Sequence, residues 1–178
     1  MGRIVFIGGG NMASALIGGM IANAKPRPAL AIVEPFEAQR VRLAQRFDGV
    51  PLHAEVSPGL VKDAALVVLA VKPQQMAEAC AALAPGIEEA GAVLSIAAGT
   101  RIADISRWLA GYQRIVRAMP NTPAMIGAGI SGVFAPPAVD APGRAAAESV
   151  LAAAGEVIWC ASEPMLDAVT GVSGSGPA

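Results

Sequence analysis

Apolar positions along the chain fall into short continuous runs, separated by segments in which they recur every three to four residues. Arg3-Ile4-Val5-Phe6-Ile7 is a β-favouring run that enters a glycine-rich turn and gives way to a helical pattern from Asn11 to about Ala24. The same order recurs with an apolar run from Ala29 to Val33, a charged helical segment from Glu37 to Phe47 and a weak strand from Pro51 to Ala54. Leu66 to Val71 is fully apolar and is bounded by Lys72-Pro73; a helix across Gln74 to Leu83 and a strand from Ala92 to Ala97 follow. Thr100 is expected to cap a helix whose apolar positions are Ile102, Ile105, Trp108 and Leu109, and Arg114 to Met119 reads as a sixth strand. Strands alternating with helices through right-handed crossovers predict an α/β fold with a doubly wound, mostly parallel Rossmann sheet.

The rhythm changes after Pro120. Gly127 to Phe134 and Glu156 to Cys160 read as short strands flanking an Ala-rich helix from Arg144 to Ala154, and they are expected to extend the sheet's edge in antiparallel sense. A new capped segment is expected from Ser162, stopping at Gly174-Ser175-Gly176-Pro177-Ala178. The expected organisation is a Rossmann-type domain over residues 1–160, with residues 161–178 as the start of another unit.

Composition agrees with this architecture. Hydrophobic residues make up 54% of the 178 residues and aromatics 4%, so the core must be built from Ala, Val, Ile and Leu. That suits parallel strands covered on both faces. No apolar stretch is long and uninterrupted enough for a spanning helix. A net charge of −1 with scattered basic residues leaves no electrostatic footprint for nucleic acid or a membrane surface. Cys80 and Cys160 lie far apart in apolar settings and read as two buried small hydrophobes, with neither a metal site nor a disulfide framework. A strand beginning at Arg3 leaves no room ahead of it for a signal peptide, so the cytoplasm is the expected location.

Gly8-Gly9-Gly10-Asn11-Met12-Ala13 fits GxGxxA, and it follows a strand, opens a helix and lies within a βαβ unit. Gly8 permits a tight turn. Gly10 lacks the Cβ that would block a pyrophosphate, and Ala13 lets helix and strand pack closely. The helix N-terminus, at Asn11 and Met12, offers free N–H groups and a partial positive charge to phosphates. Glu34 ends the second strand about 20 residues on, where a carboxylate accepts hydrogen bonds from ribose hydroxyls and repels a 2′-phosphate. The expected cofactor is NADH or NADPH with a lean to NADH, although Arg40 and Arg42 on the next helix are available to a phosphate.

Three further segments end strands on the same side of the sheet: Ala70-Val71-Lys72-Pro73, Ala97-Ala98-Gly99-Thr100 and Met119-Pro120-Asn121-Thr122-Pro123. Ligands in open α/β sheets bind outside those ends. Small residues and prolines there would make a flat wall for nicotinamide, with Asn121 bonding its carboxamide or ribose and Lys72 contacting cofactor or substrate. The single histidine, His53, lies away from these ends. No Ser-His-Asp relay and no cluster of metal ligands is visible, so acid–base hydrolysis is unsupported. Reduction of an already protonated imine would need no strong protein acid, because the cofactor brings the hydride.

Together, Phe6-Ile7-Gly8-Gly9-Gly10-Asn11-Met12-Ala13, Ala70-Val71-Lys72-Pro73, Ser95-Ile96-Ala97-Ala98-Gly99, Ile115 to Pro123 and Asp167 to Ala178 resemble pyrroline-5-carboxylate reductase. The motifs span the whole chain in order, and Met-Pro-Asn-Thr-Pro and Ser-Gly-Ser-Gly-Pro-Ala are far more specific than the glycine turn. The resemblance implies reduction of (S)-1-pyrroline-5-carboxylate to L-proline by NAD(P)H, the last step of proline biosynthesis. It also implies an all-helical C-terminal domain that dimerises and supplies most of the substrate-carboxylate site. Only Ser175 carries over towards substrate, no catalytic residue is assigned, and residues 161–178 become the start of that helical domain. A homodimer or higher homo-oligomer is implied for the whole enzyme, and binding without turnover for the 178-residue chain. The rivals are a β-hydroxyacid dehydrogenase-like enzyme, which would place a catalytic Lys where none follows Lys72, and a non-catalytic dinucleotide-binding module.

Overall fold

Four strands of the sheet are buried at every position: β1 (Ile4–Ile7), β2 (Leu30–Val33), β4 (Leu66–Leu69) and β5 (Ala92–Ser95). Their apolar runs do not alternate because both faces are covered. The computed structural model describes residues 2–23, 26 and 28–171. On one face Ile4, Phe6 and Ile32 pack with α1 (Asn11–Asn23), α2 (Glu37–Arg46) and α6 (Ala141–Ala152) through Leu16, Ile17, Leu43 and Leu151. On the other, Val5, Ile7, Val67 and Leu69 meet α3 (Pro58–Val61), α4 (Met76–Leu83) and α5 (Ile102–Trp108) through Val61, Met76, Leu83 and Ile105. Each such side chain, fully buried, contributes about 1.5–3 kcal/mol before chain entropy is counted.

The strand order is β3-β2-β1-β4-β5-β6-β7-β8, completed by β3 (Leu52–His53), β6 (Ile115–Pro120), β7 (Gly129–Phe134) and β8 (Gly155–Trp159). The first six run parallel, with Ile7 level with Val33 on one side and Leu69 on the other. β7 is antiparallel to β6 and β8 is parallel to β7, so the expected antiparallel extension holds for both. α1 crosses the end of α6 at Gly19, where a Cβ would run into the Ala153 carbonyl. This glycine carried no signal in the sequence because its neighbour is more than a hundred residues away.

Several boundaries differ from expectation for local reasons. α6 starts at Ala141 and not Arg144, because Asp140 accepts a 2.8 Å hydrogen bond from the Gly143 N–H and Pro142 fits the first turn. α3 was not expected; its four residues are too few to show a period. Thr100 does not cap α5. The residue before the helix is Arg101, and the Ile102 N–H donates instead to Glu163, 2.8 Å away.

Glu163 reaches that position because it also pairs with Arg117. The Arg117 guanidinium, on β6, is almost wholly buried and lies 3.3 Å from both the Glu163 and the Asp167 carboxylates, while Arg101 holds the other Asp167 oxygen at 3.0 Å. This network fastens α7 (Met165–Val169) to the sheet. Leu166 is fully buried there, and Val169 and Leu166 pack over Gly132 of β7. The expected side-chain cap at Ser162 is absent, since α7 follows Pro164 without one.

Cys80 is buried as expected, and burial pushes its thiol up to about 12. Cys160 is only half-buried. Among the described residues no helix is long and apolar enough to cross a membrane, and no three or more His, Cys, Asp or Glu side chains are placed to hold a metal ion.

Removing one partner of a buried charge leaves the other uncompensated. Glu163→Ala is therefore expected to lower unfolding free energy by about 2–4 kcal/mol in urea titration, since it strips a buried guanidinium and uncaps α5 together. Glu163→Gln, which keeps the acceptor, is expected to cost less than half of that.

Candidate dinucleotide site

The strand order reverses between β1 and β4: the chain proceeds from β1 outward to β2 and β3, then returns to the other side of β1. The loops leaving β1 and β4 consequently diverge and open a crevice at the carboxyl edge, the place where such sheets take ligands. The Gly8 N–H extends the ladder to the Val33 carbonyl at 2.8 Å, and the Ala70 N–H extends it to the Ile7 carbonyl at 2.8 Å. Gly8 then turns with φ +97°, and a Cβ on it would lie 2.7 Å from the Ala70 carbonyl oxygen. Only glycine satisfies both conditions.

The other two glycines answer to different constraints. A Cβ on Gly10 would meet nothing within 4 Å, so no protein atom requires glycine there, and the open space lies over the start of α1. The Gly10 carbonyl accepts from the Ser14 N–H at 2.9 Å, the first bond of the helix, which leaves the amides of Asn11, Met12 and Ala13 without helical acceptors. These features fit a pyrophosphate, which needs backbone donors and room to approach them. A Cβ on Gly9 would instead collide with Leu43 of α2.

Glu34 sits at the end of β2, where it was expected, but its carboxylate is already engaged. One oxygen accepts from the Gly9 N–H and the other from the Phe36 N–H, each at 3.0 Å, and the residue is 6% exposed. A carboxylate buried so deeply needs such donors. Gln39 adds a 2.7 Å bond from its amide to the Gly9 carbonyl. The Arg40 guanidinium donates to the Glu34 and Pro35 carbonyls, both at 2.7 Å. The end of β2 and the first turn of α2 are thereby tied to the glycine turn.

Gly8, Gly10, Glu34, Ala70, Val71 and Lys72 line a single cleft of about 430 Å³, joined by Gly9, Gln39 and Arg42. An adjoining cavity of about 550 Å³ shares Gly8 and Val71 and is walled by Val56, Ala79 and Ala82. Both volumes are in the usual range for small-molecule sites. Met12 and Ala13 pack towards the core and, like Asn11, do not themselves line this cleft, which reaches the start of α1 at Gly10. Pro73 does not line the cleft but opens a 3-10 turn whose last residue, Gln75, does. Ala97, Ala98, Gly99 and Asn121 lie at the same sheet edge, after β5 and β6, but do not line this cleft. Ser175 lies outside the described residues. The reading of the sequence missed Gln39: a polar position on a charged helix gives no sign of which strand end it will face.

A Rossmann-type α/β unit with a phosphate-cradle geometry at its switch point is the class of protein that fold and site define. The chain belongs to the family described as NADP oxidoreductase, coenzyme F420-dependent, whose model matches residues 3–99. The resemblance drawn from the motifs is borne out. The chain is 44% identical over 178 residues to a pyrroline-5-carboxylate reductase of Pseudomonas aeruginosa, covering 99% of the chain and 64% of that protein. It superposes on the structure of a pyrroline-5-carboxylate reductase from Coxiella burnetii with a TM-score of 0.90 and 37% identity, over 99% of the chain and 65% of the other. A prephenate dehydrogenase from A. aeolicus, at 15% identity and TM-score 0.74 over 96% of the chain and 63% of the other, shares the fold alone. The chain thus spans 64% of the length of the first of these relatives.

The two outer glycines of the turn are expected to separate stability from binding. Gly8→Ala forces both a left-handed φ and a backbone collision, and should cost about 2–4 kcal/mol in chemical denaturation. Gly10→Ala should shift stability by less than about 0.5 kcal/mol yet weaken dinucleotide binding about tenfold or more by calorimetry.

Proposed function

We propose that residues 1–178 supply the dinucleotide-binding part of an NAD(P)H-dependent reductase that converts (S)-1-pyrroline-5-carboxylate to L-proline in proline biosynthesis. The observation that carries this reading is the void at Gly10 above the free amides of α1, set at the β1/β4 switch point of a chain that matches pyrroline-5-carboxylate reductases from end to end.

When bound, the dinucleotide supplies hydride to the carbon of the substrate's C=N bond. The task of this chain is binding and orientation. The amides of Asn11, Met12 and Ala13 receive the pyrophosphate, while Ala70, Val71 and Lys72 bound the cleft on the β4 side. Ala97, Ala98, Gly99 and Asn121 form the wall for the nicotinamide end. Asn121 is held for this, since its Oδ1 accepts from the Ile130 N–H at 2.9 Å and leaves its Nδ2 hydrogens as donors. The expectation of NADH rests on Glu34 facing the ribose, and with both carboxylate oxygens taken by backbone amides that ground weakens. Residues 1–160 are read as the dinucleotide-binding unit and residues 161–178, with α7, as the first segment of a helical dimerising unit that includes Ser175. A cytoplasmic homodimer or higher homo-oligomer completes the reading.

The test is an assay of the gene product that contains this chain, with pyrroline-5-carboxylate and each reduced cofactor. Substrate-dependent loss of NAD(P)H absorbance with formation of proline is expected, and Gly10→Ala should reduce it about tenfold or more. Cofactor binding without any pyrroline-dependent oxidation would leave a non-catalytic dinucleotide module in its place.

A further inference from the structure

We infer that Arg42 is the residue that recognises a 2′-phosphate on the adenosine ribose, with Glu34 acting only as a positioning residue, so that the site accepts NADPH. The inference rests on the dinucleotide reading above and specifies how that site discriminates. An acidic residue at the end of the second strand ordinarily excludes a 2′-phosphate by presenting its charge to the ribose. Glu34 does not present it in that way: its two oxygens face the Gly9 and Phe36 amides at 3.0 Å, and the residue is 6% exposed. Its charge is met by those amides, and its work is to hold the glycine turn against β2.

The two arginines of α2 differ in what they are free to do. Arg40 is spent on the Glu34 and Pro35 carbonyls. Arg42 lines the cleft and is exposed, and it makes no hydrogen bond or ion pair among the described residues. It lies three residues beyond Gln39 and four beyond Ala38, both of which also line the cleft. Residues at those spacings share one helix face. Since Gln39 donates to the Gly9 carbonyl, that face overlooks the glycine turn. A guanidinium there carries the fork of donors that suits phosphate oxygens. With Lys72 on the opposite wall, the cations of the cleft outnumber its one buried acid.

The experiment measures binding of adenosine 2′,5′-bisphosphate, 5′-AMP, NADPH and NADH to the chain by calorimetry. The unmodified protein is expected to bind the bisphosphate about tenfold or more tightly than 5′-AMP, the worth of a charge-assisted phosphate contact. Arg42→Met should abolish that difference while leaving 5′-AMP unchanged, and it should lower NADPH affinity but not NADH affinity. Glu34→Gln should keep the bisphosphate preference and weaken both nucleotides alike. The inference is overturned if Arg42→Met retains the preference, if the unmodified protein shows none, or if Glu34→Gln raises it. Failure of every nucleotide to bind would overturn it together with the dinucleotide reading, whereas nucleotide binding with no pyrroline reduction by the whole gene product would leave it standing and remove only the substrate assignment.

Discussion

The contact between Gly8 and the Ala70 carbonyl fixes the geometry of everything above the sheet. β1 is paired in register on both sides, so the chain leaving Ile7 and the chain leaving Leu69 emerge level and side by side. They must then separate, one into α1 on one face and the other towards α4 on the opposite face. A left-handed residue without a Cβ lets the first loop turn within the space the second leaves free. That turn aims the N-terminus of α1 at the crevice, and the crevice exists because the strand order reverses at the same point. Cradle and cleft are two results of one topological fact.

Two buried charges stand on either side of this centre and are accommodated by different means. Glu34, at the β2 end, is compensated by main-chain amides, which fasten the glycine turn and α2 to it. Arg117, on β6, is compensated by carboxylates from the segment that follows β8, and one of those carboxylates also completes α5. Burying a charge is costly unless geometry and hydrogen bonds are good, so each charge selects a single arrangement of its partners. The first arrangement fixes the β2 side of the cleft. The second fixes the far end of the sheet, where β6 passes into Asn121 and a 3-10 turn that packs back on α1.

What was legible in the sequence followed from local pattern. The strands β1, β2, β4 and β5 show as unbroken apolar runs because parallel pairing buries both faces, and the glycine turn shows because strand, motif and helix are contiguous. The reversal after Pro120 was legible as a change of rhythm. What escaped depends on contacts between distant residues. Thr100 is the right residue type for a cap, yet the cap came from Glu163, which is brought there by an arginine on a strand. Glu34 was correctly placed, but its partners Gly9 and Phe36 depend on how the turn is rotated, and no spacing encodes that. The three adjacent glycines look alike in sequence, while their reasons are respectively a backbone turn, a leucine from α2 and open space.

Asn121 extends the same logic to the nicotinamide side of the proposed site. A backbone N–H can only donate, so the bond from Ile130 obliges the asparagine to present oxygen to β7 and leaves its amide hydrogens for other partners. An asparagine free to rotate could turn either end to a ligand; one held in this way has its Nδ2 hydrogens unclaimed by that bond and suited to an acceptor, such as a carboxamide oxygen or a ribose hydroxyl. The antiparallel strand β7 therefore does more than extend the sheet. By placing the Ile130 N–H beside the end of β6, it sets the polarity of a residue three strands away from the glycine turn, before any ligand arrives. The same principle operates at both ends of the edge: main-chain donors at Gly9 and Phe36 occupy the Glu34 carboxylate, and a main-chain donor at Ile130 occupies the Asn121 oxygen. In each case main-chain donors decide what a polar side chain still offers: at Glu34 both oxygens are engaged, and at Asn121 the amide hydrogens are left over.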